Sequence, residues 1–397
     1  MRVPRAASLI APLKLVCLLA VPPAAFAAPY VPASGDQVIE RLPSRGDPRQ
    51  QELQRLRADL SATPNDLAKA AVLARRYVEA GRLDGDPRYF GYAQAALAPW
   101  WNLSDPPTEV RLLRATLLQG RHQFAEALQD LDAVLRTDSR DAQAWLTRAT
   151  IEQVQAEYAK AKASCSRLQA LAPELVTVTC MANAASLSGQ AEKVYPLLES
   201  TLKRHADADP GIRSWAMTLL AEMAVRLGHA GAAETHFRGA LALAPRDTYL
   251  LGAYADFLLD QNRAAEAESL LARHGRVDGL LLRHALALRA RNAPQAGEQA
   301  ATLRTRFTAA AQRGSDEHLR ERARFELGLM NHPAEALRLA SENWKTQKEP
   351  ADARILLEAA LAAGDRGAAK PVLQWMQSNG VQDVALAALA GKLGARS

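Results

Sequence analysis

The chain has 397 residues, 5% of them aromatic, and a formal net charge of +6. Alanine and leucine dominate, and no run of alternating β-branched residues argues for a sheet, so packed helices are expected, as two or three domains or one long repeat array. The positive charge is scattered among acidic neighbours with no basic-aromatic stripe, so it does not read as a nucleic-acid footprint.

In chain order, residues 1–27 come first. Arg2, Arg5 and Lys14 precede the short apolar run Leu15–Val21, and Ala25-Phe26-Ala27 follows. That order is the one a cleaved secretory signal shows. The run is too short to span a bilayer and Pro22-Pro23 breaks it. Cutting after Ala27 leaves Ala28 first, since the next bond would expose Pro29. Cys17 follows Lys14-Leu15-Val16, which is unlike a lipidation motif. Loss of three cations from a net +6 leaves +3, and a periplasmic destination is expected. Residues 28–64 read as a linker with a short helix.

From residue 65 the chain repeats itself. "LLRATLLQGRHQFAEAL" at 112–128 returns as "LTRATIEQVQAEYAKAK" at 146–162, with Arg114-Ala115-Thr116 answering to Arg148-Ala149-Thr150 after 34 residues. The same step relates Ala221 to Ala255, Gly228 to Asn262, Ala233 to Ala267 and Phe237 to Leu271. Looser copies turn at Gly189, at Asn331-His332 and at Gly364-Asp365. The segment 279–313 keeps helical periodicity without the signature, and residues 83–101 insert extra chain into the first copy.

This pattern of small residue, glycine turn, A-x-x-x-F and closing proline resembles the tetratricopeptide repeat. The resemblance covers about four-fifths of the chain and is strongest over 110–275. It implies an all-α, right-handed α-solenoid of stacked antiparallel hairpins, about nine of them over 65–378, with a capping helix and tail over 379–397. Each signature residue has a physical task. Small side chains let paired helices approach, Gly228 or Asn262 takes the left-handed turn, Phe237 wedges into the next hairpin, and Pro245 stops the helix.

Cys165 and Cys180 fall on antiparallel neighbouring helices, eight residues before Pro173 and seven after it, at similar height above the turn. A disulfide between them is expected in an exported protein, and two buried thiols are the alternative, because helix rotation is not readable from spacing. No H-E-x-x-H, CxxC, P-loop lysine or nucleophile–base pair is present. No catalytic residue, metal or cofactor is therefore assigned.

Functional expectation falls on the concave face, which in this family is lined by the first helix of each hairpin. Carrying that register over gives Thr116, Gln119, Thr150, Gln153, Glu222, Tyr249 and Asp256 as lining residues. The repeated Thr/Gln pair suggests a polar ladder for an extended peptide. Leu112, Thr116, Leu146 and Thr150 stand where some members carry a Lys/Asn carboxylate clamp, so no such clamp is expected. Arg114 and Arg148 should face inward and pair with hairpin carboxylates. Tyr89, Phe90, Tyr92, Trp100 and Trp101 form an aromatic cluster, read either as a partner anchor or as a cap on the first core layer. The expected role is a non-catalytic scaffold or assembly factor that binds another protein or peptide of the cell envelope. The rival readings are a polysaccharide-handling accessory, with Trp100 and Trp101 stacking on sugars, and an enzyme hidden in 279–346.

Overall fold

The computed structural model describes Ser34 and residues 47–312 and 318–394; the expected signal segment lies outside them. The described residues from Glu52 onward form one compact unit, and the array of paired helices lies within it.

Among the described residues, every regular element is a helix, and nine antiparallel pairs follow one another. The first is Leu67–Asp84 with Arg88–Ala96 and Ala98–Trp101, so the inserted residues have split its second helix. Thr108–Gly120 pairs with Phe124–Thr137, Ala142–Val154 with Tyr158–Ser166, and Glu174–Ala185 with Ala191–Arg204. Pro210–Arg226 with Ala230–Leu243 and Thr248–Asp260 with Ala264–Leu271 are the fifth and sixth hairpins. The segment without a signature forms the seventh, Asp278–Ala290 with Gln295–Gln312. Leu319–Phe325 with Pro333–Trp344 and Pro350–Ala363 with Lys370–Asn379 complete the array, and Val384–Lys392 follows.

The turns have one recurrent cause. Each hairpin contains one residue of positive φ between its helices: Gly85, His122, Ala156, Gly189, Gly228, Asn262, Asn292, Asn331 and Gly364. A left-handed residue there reverses the chain while its neighbours' amides return to the last carbonyls of the first helix. Asp141 and Asp247 start the first helices of the third and sixth hairpins, accepting from the Ala144 and Leu250 amides at 2.8 and 3.0 Å.

Packing follows the signature. Ala221, Ala233, Ala255 and Ala267 are fully buried where paired helices meet. Phe237 leaves its own hairpin and stacks on Tyr254 of the next at 5.2 Å, with Phe257 at 5.6 Å. Burying such a side chain contributes about 1.5–3 kcal/mol, which a lone hairpin could not obtain. Arg114 meets Asp130 through two 2.7 Å contacts, and Arg148 meets Glu152 at 2.9 Å and Asp132. Both arginines thus pair with hairpin carboxylates as the register implies. Cys165 and Cys180 are bonded, their Cα atoms 5.6 Å apart.

The array does not stay open; its later hairpins return against the edge of the earlier ones. Arg246 and Thr248, between the fifth and sixth hairpins, bond Asp84 at 2.8 Å and the Arg82 carbonyl at 3.3 Å. The Lys348 amide donates to the Val154 carbonyl at 2.8 Å, and the Trp375 indole donates to the Tyr158 hydroxyl at 3.2 Å. Gly380 packs on Gly189, Val384 approaches Gly228, and Arg354 pairs with Asp260 at 2.7 Å. The later hairpins therefore close over part of the concave face.

Candidate functional site

Between the earlier and later hairpins lies a half-open cavity of about 510 Å³. Its wall is supplied mainly by the first helices of the third to ninth hairpins: Thr150 and Gln153, Asn183, Glu222, Tyr249 and Asp256, Arg283, Arg320 and Glu321, then Glu349 and Arg354. Five of the seven lining residues expected from the register, Thr150, Gln153, Glu222, Tyr249 and Asp256, are there. Thr116 and Gln119 lie on the second hairpin, outside the cavity wall.

The threonine hydroxyls do not form a ladder. Thr116 and Thr150 donate to the carbonyls of Leu112 and Leu146 in their own helices, each at 3.0 Å. Gln153 is buried, and its carbonyl accepts from the Asn183 amide at 2.5 Å, which ties the third hairpin to the fourth.

Charge dominates the rest of the wall. Asp256 accepts from Arg283 at 2.7 and 2.9 Å, and Arg324 lies 2.6 Å from its other oxygen. Burial alone would raise this carboxyl, but the two guanidiniums outweigh it and hold it at about 2. Arg354 forks onto Asp260 and also reaches Glu358 at 2.7 Å. Arg320 stands among three carboxylates, at 3.3 Å from Glu349 and Asp352 and 3.5 Å from Glu321. Burial pushes Glu349 up to about 7 despite Arg320, with Asp352 and Glu222 adding to the rise. Burial also raises Glu222, whose carboxylate accepts from the Tyr249 hydroxyl at 2.6 Å. That negative charge lifts the Tyr249 phenol well above its ordinary value. Tyr249 lines the cavity and is 61% exposed.

The arginines and acids that make this wall ionic are spread over residues 222–358, and only their shared helix face reveals them; Glu222, Tyr249 and Asp256 were legible, Arg283, Arg320, Glu321 and Glu349 were not. The signal available was weak: a charged residue at an inward register position of successive first helices.

The aromatic cluster lies elsewhere. Tyr77, Tyr89 and Tyr92 form a mutual group with ring centres 5.6–6.0 Å apart. Tyr89, Phe90, Trp100 and Trp101 pack against the first core layer, while Tyr92 stays 48% exposed. Four of the five thus serve the cap. Trp100 also borders a surface hollow with Asp105, Arg111 and Arg136. No described helix is long and apolar enough to cross a membrane.

Neither a protein-family model nor a curated protein matches the chain. Among solved structures, it is similar to the APC/C Cut9–Hcn1 hetero-tetramer at 13% identity and a TM-score of 0.44, over 87% of this chain and 74% of that one. Yeast Tom70 aligns at 13% identity and 0.36, over 87% and 92%. A tetratricopeptide repeat protein from Parabacteroides merdae aligns at 13% and 0.32, over 72% and 98%. The fold assignment rests on the molecule's own repetition: hairpin after hairpin, with one left-handed turn each, it is an array of tetratricopeptide-like units.

Proposed function

We propose that the protein is an exported, non-catalytic binding protein that holds a segment of another envelope protein or peptide in its inner cavity. The observation that carries the reading is the cavity itself, whose volume is that of a ligand pocket and whose wall combines an open aromatic ring with buried charge. The Cys165–Cys180 bond suits an oxidising compartment, and the order of residues 1–27 suits export to the periplasm. A photo-crosslinking residue placed at Thr150, inside, is expected to capture a polypeptide in intact cells. The same residue at Lys160, exposed on an outer helix, should not. Equal capture from both positions, or none from Thr150, overturns the reading. Periplasmic fractions should contain a chain beginning at Ala28.

One observation favours a second reading. The hollow beside Trp100 is lined by that residue with Asp105, Arg111 and Arg136, an aromatic and polar combination suited to a sugar. Glycan-array binding lost in Trp100→Ala, Trp101→Ala would turn the assignment toward a polysaccharide accessory.

A further inference from the structure

The cavity wall holds more negative charge than it neutralises. Asp256 has Arg283 and Arg324, while Asp260 and Glu358 share Arg354. Asp383 spends its carboxylate capping the last helix, accepting from the Ala385 and Leu386 amides at 2.9 and 3.0 Å. The remaining group is different. Glu349 and Asp352 share the guanidinium of Arg320, Glu321 draws on Arg320 and Arg283, and the hydrogen bond of Glu222 comes from the Tyr249 hydroxyl. Arg226, one turn along from Glu222, offsets this only in part, acting on Glu222 through space without an ion pair. It donates to the Ser186 hydroxyl at 2.9 Å, is 9% exposed, and leaves its buried Nε without a partner.

Partly buried carboxylates crowded together in this way favour either a proton or a cation beside them. The free face of Tyr249, hydrogen-bonded to Glu222, supplies an aromatic surface beside them, and such a surface favours an ammonium or guanidinium.

We propose that the cavity recognises its occupant by a basic side chain, a lysine or arginine of an extended peptide, set between Glu222 and Glu349 against the ring of Tyr249. This rests on the cavity being the binding site, and the two ideas separate in one experiment. The mature chain is titrated by calorimetry with blocked glycine pentapeptides carrying a central lysine, arginine, glutamate or norleucine, and separately with agmatine. Lysine and arginine peptides are expected to bind at least about tenfold more tightly than norleucine, with glutamate weakest. Glu222→Gln keeps an acceptor for Tyr249 and should erase that preference, whereas Thr116→Ala, off the cavity, should preserve it. If Glu222→Gln does not fold, Tyr249→Phe serves, and a weakened preference is expected.

Equal binding of all four peptides would overturn the cationic recognition and leave the cavity reading standing. Agmatine binding that is lost in Glu222→Gln, with no peptide bound, would keep the cationic site and end the peptide reading. No binding by any probe would end both.

Discussion

Asp130 is 4% exposed, and the Arg114 fork meets both of its oxygens. A buried carboxylate that loses its partner bears the full cost of desolvation. Arg111, 3.9 Å from Asp130, remains as a second cation, so Arg114→Ala is expected to destabilise the fold by up to about 3–5 kcal/mol in urea unfolding. Replacing both residues with apolar ones of similar volume should cost much less. His122 makes a second residue-scale prediction. Burial first, then Arg320 and His318, push its imidazole down to about 4, with Glu321 opposing. The folded chain keeps the ring neutral, accepting from the Gln347 amide at 3.2 Å, while the unfolded chain takes up a proton near pH 6.5. This contribution is complete above pH 6.5 and is lost as pH falls through 6.5 toward 4. In His122→Gln the drop in urea midpoint between pH 7.5 and pH 4.5 should shrink; an unchanged drop would show that His122 titrates alike in the folded and unfolded chain.

At the scale of elements, the turns divide into those with space and those without. Gly189 has φ +75°, and a Cβ there would stand 2.9 Å from the Gly380 carbonyl oxygen, backbone that cannot step aside. Gly364 has φ +71° with open surroundings. Gly364→Ala should cost only the conformational penalty, about 1–2 kcal/mol. Gly189→Ala should cost more and loosen the seam, seen as faster amide exchange over 379–393; equal effects of the two would contradict the packing at Gly189. The turns also show why sequence legibility was uneven. Gly228, Asn262 and Gly364 announce themselves because glycine and asparagine tolerate left-handed backbone. His122 and Ala156 take the same conformation without any such propensity, held there by the hairpins on either side. Hairpins were readable because burial of Ala221, Ala233 and Phe237 within and between neighbours is a local, periodic demand. The seventh hairpin, lacking that signature, was visible only as helical periodicity.

The whole unit poses a different problem, since contacts such as Lys348 with Val154 or Trp375 with Tyr158 join residues about two hundred apart with no periodic trace. Repeat spacing specifies how one hairpin sits on the next, and small rotations then accumulate into a path the spacing does not state. For that reason the lining residues on the third to sixth hairpins could be named, while the enclosure and the arginines delivered by the seventh to ninth could not. Enclosure is also what converts an exposed stripe of polar residues into a site with raised carboxyls at Glu222 and Glu349. It is tested most directly by electron–electron distance measurement between spin labels at Lys193→Cys and Ser378→Cys, both exposed and both beside the Gly189–Gly380 contact. Cys165 and Cys180 are bonded to each other, and a chain made from Ala28 onward lacks Cys17, so no native thiol competes for label. A closed array predicts a single short separation, about 20–25 Å once two flexible labels are added to the contact. An open solenoid, with helices spaced at about 10 Å, would place the fourth and ninth hairpins about 50 Å apart, and a distribution centred there would contradict the inner cavity.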